Sequence, residues 1–147
     1  MAELQLHAGS PAELSPVTMY QILRLRVDVF VVEQQCPYPE LDGRDLEPHT
    51  SWLWAAEGDR VLATLRVLGD ADGYRIGRVA TALDARSRGL AGRLMAHALE
   101  LLGDRADIRL DAQSPLQGWY ERFGFVRDGD EFVEDGIPHV PMRRPAG

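Results

Sequence analysis

Apolar positions repeat with helical spacing in two parts of the chain. The first set follows Ser15-Pro16, which combines a capping serine with a proline suited to the first helical turn. Its members are Met19, Ile22, Leu23, Val27 and Phe30. This pattern predicts an amphipathic helix that runs to about Val32. A second helix is predicted over residues 89–102, with Leu90, Leu94, His97, Ala98 and Leu101 on one face and Gly103 as its end.

Strand patterns lie before, between and after these helices. Residues 51–57 and 60–68 are apolar runs around Gly58-Asp59, which is a hairpin signal. Ile108, Leu110 and Ala112 alternate with polar residues, as expected of a strand with one buried face. We predict further strands at residues 4–7, 74–81, 125–133 and 139–143, and a short helix at residues 115–123.

The predicted element order is β-α-β-β-β-α-β-α-β-β. Strands alternate with helices in the second half, so the sheet should be partly parallel there and antiparallel at its start. The expected fold class is α/β (α+β), with a mixed central sheet and helices on both faces. The chain has 147 residues, and we expect one domain over residues 1–147.

Composition narrows the choice of partners. The net charge is −7, and an acidic chain lacks the basic face that nucleic acids and anionic membranes attract, so neither is expected as a partner. Cys36 is the only cysteine, which favours a cytoplasmic location and excludes an internal disulfide. The four histidines lack metal-ligand spacing, so we expect no metal.

The segment Arg86-Ser87-Arg88-Gly89-Leu90-Ala91-Gly92-Arg93 lies between a predicted strand and a predicted helix. Small residues let a ligand approach the backbone, and the first N–H groups of a helix attract anions. Three arginines add positive charge. The segment therefore predicts a pyrophosphate cradle; the alternative is a tight turn with solvated arginines.

The same segment resembles a family signature. Arg86-x-x-Gly89-x-Ala91 is similar to the Gln/Arg-x-x-Gly-x-Gly/Ala motif of the GNAT superfamily of N-acetyltransferases, and Tyr120-Glu121-Arg122-Phe123-Gly124-Phe125 resembles its second landmark. The resemblance implies that backbone amides of the signature bind the pyrophosphate of acetyl-CoA. It also implies that the preceding strand, through Val79, Ala80 and Thr81, binds the pantetheine arm.

Other stretches resemble the ElaA-like branch of that superfamily. They are Val29-Phe30-Val31-Val32-Glu33-Gln34, Cys36-Pro37-Tyr38, Asp42-Gly43-x-Asp45 and Glu134-Asp135-Gly136-Ile137-Pro138-His139. This resemblance names the relatives of the chain but does not name the amine that accepts the acyl group.

Tyr120 is the expected catalytic residue. The resemblance implies that its phenol protonates the departing thiolate as the amine attacks the thioester. The alternative is a core tyrosine packed between helix and sheet.

A base must remove a proton from the attacking ammonium group. The sequence leaves several candidates and also a chain of water molecules. The candidates are Glu33, Asp45, Asp111, Glu131 and His139. His139 has a suitable ordinary pKa, although a strand histidine bonded to the backbone is the more frequent case.

Five acids lie between Asp128 and Asp135. They predict either a field that attracts a cationic amine or a solvated loop, and the solvated loop is the more frequent case.

A further set resembles the acyl-homoserine-lactone synthases, where the corresponding residues form an ion-pair network around the substrate site. The set consists of Arg26, Phe30, Asp42, Asp45 and Arg66. The alternative is a purely structural network in which a helix arginine pairs with acids of the following loop.

These observations predict an enzyme that moves an acetyl group from acetyl-CoA to a primary amine of a small molecule or peptide, by direct attack in a ternary complex. A homodimer is a candidate assembly. The alternatives are a synthase that uses an acyl carrier and a non-catalytic acyl-CoA sensor.

Overall fold

The computed structural model describes residues 3–147. Within these residues, three α-helices and eight strands carry the fold. The helices are α1 (Pro16–Val27), α2 (Leu90–Leu102) and α3 (Gln117–Glu121). The strands are β1 (Leu4–Gly9), β2 (Ser51–Glu57), β3 (Arg60–Asp70), β4 (Gly73–Thr81), β5 (Ile108–Gln113), β6 (Val126–Arg127), β7 (Phe132–Glu134) and β8 (Ile137–Arg144).

The strands form one mixed sheet in the order β1-β2-β3-β4-β5-β8-β6, with β7 also paired to β8. Only the β4–β5 pair is parallel among the pairs of the described residues; the other pairs are antiparallel. A parallel neighbour requires a crossover, and α2 supplies it between β4 and β5. The predicted mixed sheet is confirmed.

Helices cover both faces of the sheet, as predicted. On one face α1 packs Ile22 and Leu25 against Trp52 of β2. On the other face α2 packs Leu94 and Met95 into the larger core. Side chains alternate between faces along a strand, so adjacent residues of β2 serve different clusters.

The β4–β5 pair is short, and this creates a wedge in the sheet. The two strands pair only at Tyr74↔Ile108 and Arg75↔Arg109, near their amino ends. Beyond these positions the strands separate, so residues 76–81 of β4 lose their partner on that side. We call the space between the diverging strands the wedge.

A β-bulge lies in the free part of β4. The β3–β4 register shifts between Thr64 and Arg66, which places two residues of β4, Arg78 and Val79, opposite Leu65. Arg78 has φ 53°, an uncommon value for a residue other than glycine. The backbone is therefore distorted beside the wedge.

Several predicted details differ from the structure. The first helix does extend to Glu33, but residues Asp28–Glu33 form a wider π-helical stretch. The single strand predicted over residues 125–133 is wrong, because Gly129, with φ 157°, lies in a loop between β6 and β7. Leu101, predicted on the buried face of α2, is 58% exposed.

The capping predictions hold at atomic detail. Ser15 Oγ accepts a hydrogen bond from the Thr18 N–H at 3.1 Å, as expected of an N-cap serine. Trp52 and Trp54 pack on one face of β2. Among residues 3–147, no helix is long and apolar enough to cross a membrane.

Candidate active site

The cradle predicted from the sequence forms the start of α2. Gly89 is the N-cap residue, with φ 72° and ψ 20°, and a Cβ built on it would meet no atom of the described residues within 4 Å. Within residues 3–147, no side chain caps the first turn. The N–H groups of that turn therefore have no side-chain cap among the described residues, and they suit an anion.

Two of the three cradle arginines are paired with carboxylates. Arg86 donates both terminal N–H groups to Glu33 at 2.6 Å each, and its Nε donates to the Thr81 carbonyl at 3.2 Å. Arg88 donates to both oxygens of Glu57, at 3.3 and 2.7 Å. The positive charge expected of this segment is thus partly neutralised, and its backbone N–H groups are its main attraction for an anion.

Tyr120 lies on α3, which follows β5 through a short 3₁₀ turn. The residue is buried against Trp119 and Phe125, with ring centroids 4.9 and 6.3 Å away. Burial raises the pKa of Tyr120 to about 12. The phenol is therefore protonated at neutral pH, as a proton donor must be.

The cradle and Tyr120 are brought together by contact between α2 and α3. A Cβ built on Gly92 would lie 3.8 Å from Phe123 Cζ and 3.9 Å from Trp119 Cζ2. Trp119 precedes Tyr120, so the first turn of α2 and the tyrosine helix are neighbours at the wide end of the wedge. A Cβ at this position would make only ordinary van der Waals contacts, so Gly92 shows that the two segments are adjacent.

A closed ring of ion pairs lies on the α1 face beside β4. Its six members alternate in charge: Arg26, Glu40, Arg78, Asp42, Arg66 and Asp45. The pairs are Arg26 with Glu40 and Asp45 (2.7 and 2.6 Å), Arg78 with Glu40 and Asp42 (2.9 and 3.3 Å), and Arg66 with Asp42 and Asp45 (2.8 and 3.3 Å). We call this set the ionic ring.

The ionic ring fastens the loop of residues 34–50 to the sheet. All three acids of the ring come from this loop. Its arginines come from α1, β3 and the bulge of β4. The hydrogen bond from Arg66 holds the pKa of Asp42 well below its usual range. Tyr38 adds a hydroxyl bond to Glu40, and the guanidinium of Arg78 stacks 5.6 Å from the Tyr38 ring centroid.

Beyond the ionic ring, the same face of the sheet is an open polar floor. The side chains on this face include Arg75 of β4, Asp111 of β5 and His139 of β8, and Gly77 of β4 leaves a gap among them. A Cβ at Gly77 would meet no atom of the described residues within 4 Å, so space lies directly above β4. Arg75 donates to Asp111 at 3.1 Å, where backbone pairing between the two strands ends.

The predicted acceptor residues are divided between these features. Arg26, Asp45 and Arg66 belong to the ionic ring, and Phe30 packs in the core under α1. Glu33 lies at the end of the π-helical stretch and pairs with Arg86.

The remaining candidates lie at the wide end of the wedge. Glu131 accepts a hydrogen bond from Ser114, just after β5, at 3.2 Å. His139 pairs with Gln113 of β5, stacks on Phe132, and its Nδ1 lies 2.7 Å from the Ile137 carbonyl.

The acidic run spans a loop and a hairpin on the far side of β8. Its five acids, Asp128, Asp130, Glu131, Glu134 and Asp135, are all exposed. A Cβ on Gly129 would lie 2.9 Å from Pro141 Cγ, so the loop rests on the residue that pairs with Asp111. The acids therefore border the polar floor.

Sequence reasoning missed Glu40 and Arg78 as members of the ionic ring. Glu40 follows Pro39 in an irregular loop, and Arg78 is one of several arginines in a strand pattern, so neither has a local signal. The bulge that turns Arg78 toward the loop depends on the β3–β4 register, which periodicity does not give.

Comparison with known proteins agrees with this geometry. The profile described as "Acetyltransferase (GNAT) domain" matches residues 21–145. The chain belongs to the GNAT acetyltransferase family.

Its relatives place it in the ElaA-like branch. It is 51% identical over 138 residues to a UPF0039 protein of Mycobacterium tuberculosis, covering 90% of this chain and 88% of that protein. The crystal structure of Escherichia coli ElaA is 34% identical with a TM-score of 0.90, covering 97% and 99% of the two chains. An acyl-CoA N-acyltransferase from Pseudomonas aeruginosa is 40% identical with a TM-score of 0.92, over the same shares.

Family membership implies an acyl-CoA co-substrate, and the residues present fit one. The open first turn of α2 suits a pyrophosphate, and the unpaired edge of β4 over residues 76–81 offers backbone groups to an extended arm.

Proposed function

We propose that this protein transfers an acetyl group from acetyl-CoA to a primary amine, by direct attack in a ternary complex. The observation that carries the proposal is that Gly92 of the α2 cradle lies beside Trp119 and Phe123, which flank Tyr120 in the chain. This adjacency supports an anion site and a protonated phenol that serve the same bound substrate.

Acetyl-CoA, when bound, supplies a thioester whose carbonyl carbon accepts a nucleophile. The first-turn N–H groups from Gly89 to Gly92 would hold its pyrophosphate. The free edge of β4, with Val79, Ala80 and Thr81, would bind its arm through backbone hydrogen bonds. The narrow end of the wedge would limit how far the arm enters.

Tyr120 is the proposed general acid. As the amine nitrogen bonds to the carbonyl carbon and the C–S bond breaks, Tyr120 donates its proton to the sulfur. The pKa of about 12 keeps that proton in place until the thiolate develops.

The amine must lose a proton on its way to attack. Asp111 projects from the polar floor beside the wedge, while Glu33, Glu131 and His139 lie at its wide end, and a chain of water is a further route. Asp45 is less suited, because two arginines occupy its carboxylate. Glu33 is less suited for the same reason, because Arg86 binds both of its oxygens. No single base is assigned.

Two other functions make different predictions. A synthase that uses an acyl carrier protein would accept acyl groups from the carrier in preference to acetyl-CoA. A sensor would bind acyl-CoA without turnover, although a protonated phenol beside the cradle has no role in binding alone.

The test is a screen of primary amines with acetyl-CoA, in which thiol release and acetylated product are both measured. Transfer to at least one amine, with equal amounts of thiol and product, supports the proposal. Tight acetyl-CoA binding with no product for any amine, peptide or polyamine would favour the sensor. Transfer only from an acyl carrier protein would favour the synthase.

A further inference from the structure

A row of three arginines crosses the polar floor at the narrow end of the wedge. Arg75 is the register partner of Arg109, and Arg109 is the partner of Arg143, so the three project from one face of β4, β5 and β8. Neighbouring strands lie about 4.8 Å apart, which places the three Cα atoms within roughly 10 Å. Their side chains are 36%, 46% and 41% exposed.

The row is unfavourable by itself. Like charges directly opposite one another on neighbouring strands destabilise a sheet. Two aspartates compensate in part: Asp111 accepts from Arg75 at 3.1 Å, and Asp107 accepts from Arg143 at 2.8 Å. Asp107 also lies 3.5 Å from Nε of Arg109. Three positive charges thus face two carboxylates, in a chain whose net charge is −7.

The position of the row connects it to the proposed chemistry. Gly77 and Asp111 are two residues further along β4 and β5 from Arg75 and Arg109, a distance of about 7 Å along a strand. The open space above Gly77 therefore lies between the arginine row and the site where an amine would meet the thioester. At the opposite side, the exposed acids around Glu131 border the same floor.

We propose that this arginine row binds an anionic group, a carboxylate or a phosphate, on the acyl acceptor. The planar fork of arginine binds two oxygens at once, which suits either group. The acceptor class is then an amine that also carries a negative group, with its ammonium toward Asp111 and the acidic border. The inference rests on the proposed function, because it names the acceptor of the same site.

The first test compares acceptors in pairs. Each active amine is assayed as its free carboxylic acid, as its neutral amide and as a phosphate-bearing analogue, with wild type, Arg109→Gln and the exposed-loop control Arg105→Gln. We expect the anionic acceptor to have the higher kcat/KM, and Arg109→Gln to lower it by about ten- to a hundredfold. For the neutral amide, kcat/KM should change by less than about twofold in the same variant. An equal loss for acid and amide would overturn the proposal.

The second test is independent of turnover. Succinate and inorganic phosphate are titrated into the protein while the arginine Nε–H signals are followed by NMR. Saturable shifts of Arg75, Arg109 and Arg143 are expected, abolished by Arg109→Gln. Weak, non-saturating shifts of all exposed arginines alike would contradict an anion site. If the row binds these probes and no amine is acetylated in the screen, the proposed function fails while the anion site stands.

A stability control separates recognition from a structural role. Removing the central charge relieves like-charge contacts, so Arg109→Gln should have a urea midpoint at least as high as that of wild type. A clearly lower midpoint, with Arg105→Gln unchanged, would indicate that the row is a structural ladder and would count against the proposal.

Discussion

Arg86 and Glu33 form a bidentate ion pair, with both N–H···O distances at 2.6 Å, between the cradle and the end of the first helical segment. The pair holds the pKa of Glu33 below its usual value, so the carboxylate is charged at neutral pH. A negative charge is thereby held beside the proposed pyrophosphate site.

Removing the negative charge of Glu33 should strengthen the binding of the acyl donor, CoA. Glu33→Gln is expected to lower the Kd for CoA by about two- to fivefold, the range of an exposed ion pair. Glu47→Gln, which breaks the surface pair with Arg44, is the control and should leave the Kd unchanged. Calorimetric titration of CoA decides the matter: an unchanged or higher Kd for Glu33→Gln would show that Glu33 does not oppose the donor.

The cradle itself is tested at Gly89, whose φ of 72° is tolerated by asparagine and aspartate better than by other side chains. Gly89→Asp places a negative charge at the first turn of α2, while Gly89→Asn has nearly the same shape without it. We expect CoA at about 100 times its Kd to stabilise wild type by roughly 2.7 kcal/mol, Gly89→Asn in part and Gly89→Asp not at all. Equal thermal shifts for all three proteins would refute the assignment.

The ionic ring should contribute most of the stability of the loop of residues 34–50 on the sheet. Arg26→Met leaves two buried acids with one arginine partner each, and breaking a buried pair costs about 3–5 kcal/mol. Arg24→Met, two residues earlier on an exposed position, should change stability by less than about 0.5 kcal/mol. Urea unfolding of both variants measures the difference. A loss below about 1 kcal/mol for Arg26→Met would mean that the loop is held by other contacts.

Acid should weaken the ionic ring through Asp42. Its pKa is lowered in the folded protein by Arg66, so the stabilisation is present above the ordinary carboxyl pKa of about 3.9 and is lost as the pH falls toward the folded value. Wild type should therefore lose stability below about pH 4 more steeply than Asp42→Asn. Urea midpoints between pH 5 and pH 2.5 provide the comparison, and parallel curves for the two proteins would exclude this role.

Local signals in the sequence account for much of the fold. Ser15-Pro16, Gly58-Asp59 and Gly103 mark element ends that the structure retains, because capping and turns depend on a few neighbouring residues. The loop at Gly129 was missed although Asp128-Gly129-Asp130 is a turn sequence, because the flanking apolar residues suggested a continuous strand.

The candidate site depended more on distant contacts. The glycine-rich cradle and Tyr120 were predicted from local motifs, since each motif is a short segment with its own spacing. The ion pairs of the ionic ring join residues 14 to 38 positions apart along the chain. Closure of the ring requires a bulge at Arg78 that arises only when β3 and β4 pair. The arginine row likewise depends on the register of three strands.

The central claim is that Tyr120 gives up its proton to the sulfur within the wedge. The most direct measurement is kcat for Tyr120→Phe on an amine found in the screen, with the Kd for acetyl-CoA measured beside it. The phenyl ring preserves the packing against Trp119 and Phe125. The account predicts that kcat falls by about a hundred- to ten-thousandfold while the Kd stays the same. A variant that acetylates at the wild-type rate would contradict it and make Tyr120 a packing residue.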